Sequence, residues 1–268
     1  MTEGPETYFY YSIIKHLRGK YLKKLLILTK RHQTKDFHNL QKELPLKIKK
    51  IGIKGKIIWF LFDNDMSIYI THGMTGAWRF KNKNENDNEK SKYDIHRLEF
   101  IFDNGEHLFF NDWNNIATIR IFYNIDDLEK QLGELGPSIF GNTSYDEFYE
   151  RLNKKINSNK PIGLLLLDQS IVSGIGNYLR ADILWNAKIS PYRKFKDLTL
   201  NEKKKLYKYS LSEAMRYYKF MLRYGEVFPP QRINTFRVYR KHYDPDGNKV
   251  KRDEFNGRSI YWVSTIQK

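Results

Sequence analysis

Apolar and aromatic positions recur at helical spacing over Glu6 to Arg18 (Tyr8, Phe9, Tyr11, Ile13, Ile14, Leu17). The pattern predicts a leading helix with Pro5 tolerated in its first turn and Gly19 as its stop. From Leu22 to about Phe80 the period shortens. LLIL, KIKKIGI, KIIWFLF and SIYITHG are β-branched or aromatic runs broken by Asp-Asn or Gly, which predicts strands. KNKNENDNEKSK (81–92) is polar and aperiodic and reads as a loop. HRLEFIF and EHLFFND flank Asp103-Asn104-Gly105, and Asn-Gly between apolar runs predicts a tight hairpin. ATIRIFY continues the strands. Many short strands at this spacing predict a sandwich or barrel-like first domain.

From Asp126 the period becomes helical. SYDEFYERLNKK is amphipathic, with Ser144 or Thr143 as its cap. KPIGLLLLDQ, YLRADILWNA and the long, basic NEKKKLYKYSLSEAMRYYKFMLRYG follow. FRVYRKHYDPDGNKVKRDEFNGRSIYWVSTIQK returns to strand-like text around Asp-Pro-Asp-Gly. A boundary is expected near 125–140, where Gly136-Pro137 fits a linker or turn. No internal repeat is visible.

Charge sharpens this outline. The 268 residues carry 47 Lys+Arg against 31 Asp+Glu. Residues 1–150 hold 22 basic and 21 acidic side chains, and residues 151–268 hold 25 and 10. Lys15 to Lys56 carries 14 basic and 2 acidic residues, and 57–150 carries 8 and 17. A codon bias would spread evenly. The basic, acidic, basic order suits two cationic surfaces facing one polyanion. DNA is the natural candidate; RNA or an anionic membrane surface also fits on charge alone. The absence of cysteine excludes disulfides, thiolate catalysis and zinc sites built on Cys. No apolar run approaches the roughly 20 residues of a membrane span. The N-terminus has no signal-peptide pattern. The expectation is an intracellular protein with no membrane partner.

The most specific segment is LLLLDQSIVSGIGNYLRADILWNAKISP (164–191). An apolar helix is expected to end at Gln169-Ser170. Gly174 and Gly176 allow a tight double turn, and Asn177 opens a second amphipathic helix. A helix N-terminus preceded by glycines offers free N–H groups and a positive dipole end to a phosphate. An ordinary turn between helices with a capping Asn is the competing reading.

This segment resembles the helix–two-turn–helix of the formamidopyrimidine-DNA glycosylase / endonuclease VIII family. Other stretches match in order. Met1-Thr2-Glu3-Gly4-Pro5-Glu6 resembles the family's N-terminal block. Gly55-Lys56-Ile57 resembles the strand that carries a DNA-contacting lysine. Ile70-Thr71-His72-Gly73-Met74-Thr75-Gly76 and Leu135-Gly136-Pro137 resemble family motifs. Phe236 to Tyr239 and Gly257-Arg258-Ser259 resemble the C-terminal finger.

The resemblance implies an α+β fold: a two-layer β-sandwich with a leading helix (1–130), a helix–two-turn–helix domain (131–232) and a β-hairpin finger (233–268). DNA is expected between the domains. It implies a bifunctional glycosylase/AP lyase that excises oxidised bases from damaged DNA, duplex or single-stranded. The protein is expected to act as a monomer, with no cofactor. The nucleophile is the mature N-terminal amine, here Thr2 once Met1 is removed. An α-amine titrates at roughly 7.7–8.0, so part of it is neutral and can attack sugar C1′. Glu3 is implied as the carboxylate that handles protons at the sugar ring oxygen. Glu6 could return to the same pocket; a carboxylate that only answers the helix dipole is the competing reading. Lys56 belongs with the catalytic set and, with Asn177 and Arg258, grips phosphates. Met74 is a candidate wedge for the vacated stack, or else a core methionine.

The departures are informative. Thr2 stands where most members have proline, which opens the alternative of a catalytically weakened or inactive DNA-binding protein. Thr2 as an N-terminal hydrolase nucleophile, and the helix–two-turn–helix as an RNA-binding element, are further readings. Asp112-Trp113-Asn114-Asn115-Ile116-Ala117 lacks the arginines of the family's opposite-strand loop, which suits an endonuclease VIII-like enzyme with relaxed opposite-base demands. The finger lacks zinc-binding cysteines, so no metal is expected. Its strands, around 236–243 and 258–264, are expected to pair through Val238, Tyr239, Ile260, Tyr261 and Trp262.

Overall fold

A computed structural model describes residues 2–81, 96–141, 143–154, 158–225 and 235–268. The polar stretch read as a loop falls outside them, apart from Lys81, as does Met1. Contacts divide the chain into two compact units. Unit 1 holds Thr2 and Tyr10–Gly133; unit 2 holds Glu3–Phe9 and Glu134–Lys268. The expected three-part division placed the first residues with the sandwich. Residues 3–9 instead pack in unit 2, through contacts described below.

Unit 1 is built on eight strands: β1 (Tyr21–Ile27), β2 (Leu46–Lys54), β3 (Ile57–Phe62), β4 (Ser67–Thr71), β5 (Gly76–Phe80), β6 (His96–Phe102), β7 (His107–Asp112) and β8 (Ile119–Phe122). They run in the order β5-β7-β6-β1-β2-β3-β4-β8, with every pairing antiparallel. β1 and β2 share only Tyr21↔Lys47 and Leu22↔Leu46. The sheet folds over at that weak seam into the two layers of a sandwich. β3 is buried at all six positions, as its unbroken IIWFLF run requires. The layers meet in an aromatic cluster: Trp78 lies 5.7 Å from Phe60, 5.5 Å from Phe100 and 4.9 Å from Phe110, ring centre to ring centre. The hairpin of β6 and β7 turns at Asn104-Gly105, with Gly105 at φ +80, the conformation Asn-Gly favours. Helix α1 (Gly4–Ile14) precedes the strands, and α2 (Lys35–Glu43) and α3 (Ile125–Gly133) complete the described helices up to Gly133. The expected leading helix thus starts two residues early and passes into a short 3-10 turn at Lys15–Leu17.

Unit 2 contains α4 (Tyr145–Asn153), α5 (Ile162–Leu165), α6 (Asn177–Ala187), α7 (Leu200–Tyr224), β9 (Lys251–Phe255) and β10 (Arg258–Trp262). Ser144 is the cap of α4, accepting from Glu147 N–H. Thr143 bonds Ser138 O instead. The helix expected to reach Gln169-Ser170 stops at Leu165. Past it the Leu167 and Asp168 N–H groups bond only three residues back, and the Asp168 carboxylate takes both the N–H and the hydroxyl of Ser170, local bonds that compete with helix. α6 is not amphipathic as expected. Nine of its eleven residues are buried, so it is the central helix of the unit. Thr199 and Glu202 form a reciprocal capping box at the start of α7.

The finger differs from its expected pairing. The ladder is β9 with β10, from Lys251↔Trp262 to Phe255↔Arg258, and 236–243 contributes turns. Asn256 (φ 52) and Gly257 (φ 70) make the two-residue hairpin turn that Asn-Gly specifies. Asp182, buried on α6, holds 236–238 in place. It accepts from Tyr217 OH (2.5 Å), Arg237 N–H (2.9 Å) and Val238 N–H (3.1 Å). A strand cannot form where a buried carboxylate takes two successive N–H groups.

The residues near the finger do not fit a zinc ion. Among the described residues no cluster of His, Cys, Asp or Glu could hold one. In the turn at 244–248, the Asp244 carboxylate accepts from Trp185 Nε1 (3.0 Å), Asp246 N–H (3.0 Å), Asn248 N–H (2.7 Å) and Asn248 Nδ2 (3.1 Å). One carboxylate thereby knots the 244–248 turn to α6. Burial alone would raise this carboxyl, but the bonds from Trp185, Asn248 and Asp246 outweigh it and hold it below the usual range. Its stabilisation is therefore present at neutral pH and lost as pH falls below about 4. Asp244→Ala should cost about 2–3 kcal/mol at pH 7 by stranding the Trp185 N–H. Denaturant unfolding checks this, and a chelator should leave the wild-type midpoint unchanged.

Candidate active site

The N-terminal block is bound to the first turn of α6. Glu3 is fully buried, and a buried carboxylate needs donors. It takes three backbone N–H groups: Gly176 (2.9 Å), Tyr178 (3.0 Å) and Leu179 (3.2 Å). The helix N-terminus expected to be free for a phosphate is thus filled by the chain's own carboxylate, with the dipole favouring the negative charge. The glycines are explained by this contact. A Cβ on Gly176 would lie 2.3 Å from Glu3 Cδ. Gly174, at φ +107, accepts the Gly4 N–H at 2.8 Å.

Glu6 lies on the first turn of α1, three residues past Glu3. Its carboxylate accepts the Glu3 N–H at 2.6 Å, half of a capping box. It also accepts the Tyr178 hydroxyl at 2.7 Å. Both readings of Glu6 meet here: it caps the helix and it shares the Glu3 pocket. Burial, followed by the nearby Glu3 charge, pushes the Tyr178 phenol well above its usual range. Tyr178 stays protonated and donates to Glu6, while its N–H donates to Glu3.

Asn177 is held from within. Its Oδ1 accepts from Arg180 Nη2 at 3.0 Å, and the same guanidinium donates to Gly163 O and Ser259 O, both at 3.0 Å. Arg180 is 1% exposed. Burial pushes its guanidinium down to about 10, so it is still charged at neutral pH. One buried cation thus fixes Asn177 and the β10 residue next to Arg258. Arg258 is exposed at the start of β10.

In unit 1, Thr2 is 7% exposed and its hydroxyl donates to Gly76 O at 3.2 Å. Gly76 closes the turn that carries Met74, through Gly76 N–H to His72 O at 2.7 Å. Met74 is 47% exposed, so the core reading does not hold. Lys56, expected on a strand, sits in the tight turn between β2 and β3 behind Gly55 at φ +58. Ring nitrogen Nδ1 of His72 faces Lys56 O at 3.4 Å, and Nε2 accepts from Trp78 Nε1 at 2.9 Å. Burial pushes this imidazole down to about 4, against the opposing pull of the Lys56 carbonyl and Asp112. The neutral ring is a link from the Met74 turn to the Lys56 turn.

The structure therefore gathers Glu3, Glu6 and the start of α6 in unit 2, and Thr2 with the Met74 turn in unit 1. Sequence reading missed Tyr178, Arg180 and His72 as positioning residues. Arg180 left one usable signal, a cation inside an otherwise buried helix.

Two outcomes follow. Gly176→Ala should displace the Glu3 carboxylate and cost roughly 2–4 kcal/mol, since each charged hydrogen bond contributes about 1.5–3 kcal/mol; thermal unfolding followed by circular dichroism measures it. His72 titrates lower folded than unfolded. Stability should therefore fall by roughly 3 kcal/mol as pH drops from 6.5 towards 4. The unfolding free energy of His72→Gln, compared with wild type across that range, isolates this part.

Known proteins are similar to this chain along nearly its whole length. The formamidopyrimidine-DNA glycosylase N-terminal domain model matches residues 1–119, the H2TH domain model 135–217 and the C-terminal domain model 231–268. A formamidopyrimidine-DNA glycosylase of Ureaplasma parvum is 28% identical, with 94% of each chain covered. One from Prochlorococcus marinus is 31% identical over 85% of this chain and 80% of its own. The Lactococcus lactis Fpg, solved with DNA containing an abasic site, superposes with a TM-score of 0.82 over 99% of both chains, at 22% identity. With three domain models matched in order and a relative at 31% identity over most of both chains, the chain belongs to the formamidopyrimidine-DNA glycosylase family.

Proposed function

We propose that this protein is a bifunctional DNA glycosylase/AP lyase for oxidised bases, with the α-amine of Thr2 as its nucleophile once Met1 is removed. One observation carries the reading. Thr2 is buried with its side chain tethered, and the next residue is a carboxylate locked on a helix N-terminus. A proline fixes the amine through its ring. A threonine loses that ring, and its hydroxyl bond to Gly76 O restores part of the constraint. Family membership and the abasic-site DNA bound by the Lactococcus relative support DNA as the partner. Lys56, Asn177 and Arg258 are proposed as phosphate contacts, and Met74 as the wedge. Such contacts position DNA without reading its sequence.

The chemistry balances within the chain and the DNA. The neutral amine attacks C1′, and the damaged base leaves with a proton. Glu3 manages the proton at the ring oxygen as the sugar opens, and loss of the second amine proton completes the imine. Protonated at nitrogen, the imine acidifies C2′. Removal of a C2′ proton expels the 3′ phosphate and cuts the strand. Water then hydrolyses the imine and frees the amine. Thr2 gives a primary-amine imine, which must be protonated, whereas proline gives a permanent iminium. This difference favours a second reading, a DNA-binding protein with weakened catalysis.

Borohydride trapping on an abasic-site oligonucleotide, with intact-mass analysis of the N-terminus, separates the two. The expected result is an adduct at the Thr2 amine with Met1 absent. Tight DNA binding without an adduct, on protein that begins at Thr2, would establish the second reading. Lys56→Ala should weaken binding to all sequences alike and lower the salt slope of binding by about 1, measured by titration at several salt concentrations.

A further inference from the structure

Unit 1 carries a cleft of about 340 Å³ between the start of α2 and β8, and none of the groups assigned above lines it. Arg31, His32, Thr34 and Arg120 line it, together with the apolar Phe37 and Ile119. Several of these groups lack a partner inside the protein. Thr34 is the N-cap of α2, but its side chain makes no capping bond, so it answers none of the N–H groups of the first turn. His32 is 5% exposed and its Nε2 has no hydrogen-bond partner. A buried polar atom left in that state costs about 1–3 kcal/mol. Arg31 is exposed and has no ion-pair partner among the described residues. Arg120 donates to Gln131 Oε1 at 2.6 Å, a neutral group that leaves its charge uncompensated.

The field in the cleft is positive. Burial, followed by the Arg31 and Arg97 charges, pushes the His32 imidazole below its ordinary value, against the pull of Asp112. One carboxylate, Asp36, lines the same cleft. It accepts the Tyr123 hydroxyl at 2.8 Å and offsets one of the two guanidinium groups. A carboxylate that answers the α2 dipole would account for Asp36, but it leaves His32 and the arginines unexplained. Open helix N–H groups beside guanidinium groups are what a phosphate group requires. The volume is that of a small organic ligand, and Phe37 and Ile119 give such a ligand an apolar surface.

We propose that this cleft binds an organic phosphate of mononucleotide size. Its phosphoryl oxygens meet the start of α2 with Arg31 and Arg120 as charge partners, its apolar body lies on Phe37 and Ile119, and His32 Nε2 gains the bond it lacks. Two sources present this chemistry: a free phosphate ester, or a nucleotide within a nucleic-acid strand. The inference goes beyond the glycosylase reading and does not depend on it.

Isothermal titration of the DNA-free protein with adenosine monophosphate, with inorganic phosphate and adenosine as comparisons, tests the site. Adenosine monophosphate should bind more tightly than either of its parts. Arg31→Gln, a change at an exposed position, should weaken that binding about tenfold, and Asp36→Asn should tighten it severalfold by removing the opposing charge. Titration of an intact duplex at several salt concentrations then identifies the source. Unchanged duplex affinity in Arg31→Gln assigns the cleft to a free ester. Weaker duplex binding, with a salt slope lower by about 1, assigns it to a strand. Adenosine binding as tightly as adenosine monophosphate, or nucleotide affinity that neither variant alters, would overturn the proposal.

Discussion

A carboxylate buried without donors would cost several kcal/mol, and the fold of unit 2 is arranged so that Glu3 never meets that condition. Three N–H groups at the start of α6 must point at one place. That requirement fixes the glycines before the helix, because a side chain at Gly176 would occupy the carboxylate's own volume. It fixes the first turn of α1, whose Glu6 closes back on the Glu3 amide. It also makes α6 a helix buried all round, because the Tyr178 hydroxyl must stay dry to serve Glu6. The N-terminal residues are thus part of the packing of unit 2, and the chemistry of the chain end is inseparable from its stability.

A second layer of constraint comes from buried cations and phenols that touch no expected ligand. Arg180 joins Asn177 to Ser259, so a helix start and a hairpin strand cannot drift apart. Asp182 binds Tyr217 and the backbone of 237–238. His72 does similar work in unit 1, with Trp78 fixing its tautomer. Asn177 and the β10 residue next to Arg258 rest on hydrogen bonds from buried Arg180, and buried His72 links the Met74 turn to the Lys56 turn. This is how a flexible arginine or methionine on a loop is given a repeatable position.

Much of this was legible in the chain. The strand runs, the Asn104-Gly105 hairpin and the change to helical period near 125 follow from periodicity and turn chemistry. Thr2, Glu3 and Asn177 could be named because their neighbours form an ordered set of motifs. What escaped reading were long-range bonds. Nothing local in GIGNYLR tells that Gly176 makes room for a carboxylate 173 positions earlier. The Leu164 to Leu167 run hides a helix end for a different, local reason: the Asp168 carboxylate takes both donors of Ser170 two residues on, which the apolar run masks. The finger was misplaced for a long-range reason. Asn256-Gly257 carries the stronger hairpin signal, but Asp244-Pro245-Asp246-Gly247 looks like a turn as well, and it is one. Which of the two turns the ladder grows from is decided by Asp182, far away in sequence.

The knot at Asp244 has a consequence for the conditions under which the molecule lasts. A finger closed by thiolates and a metal is open to the same oxidants that damage bases, because a thiolate is readily oxidised and then releases its ion. Here the turn is closed by a carboxylate, an indole and an amide, none of which oxidises at that rate, and the chain has no cysteine anywhere. Oxidative stress would multiply the lesions while leaving this fastening intact, and scarcity of zinc would be a matter of indifference to it.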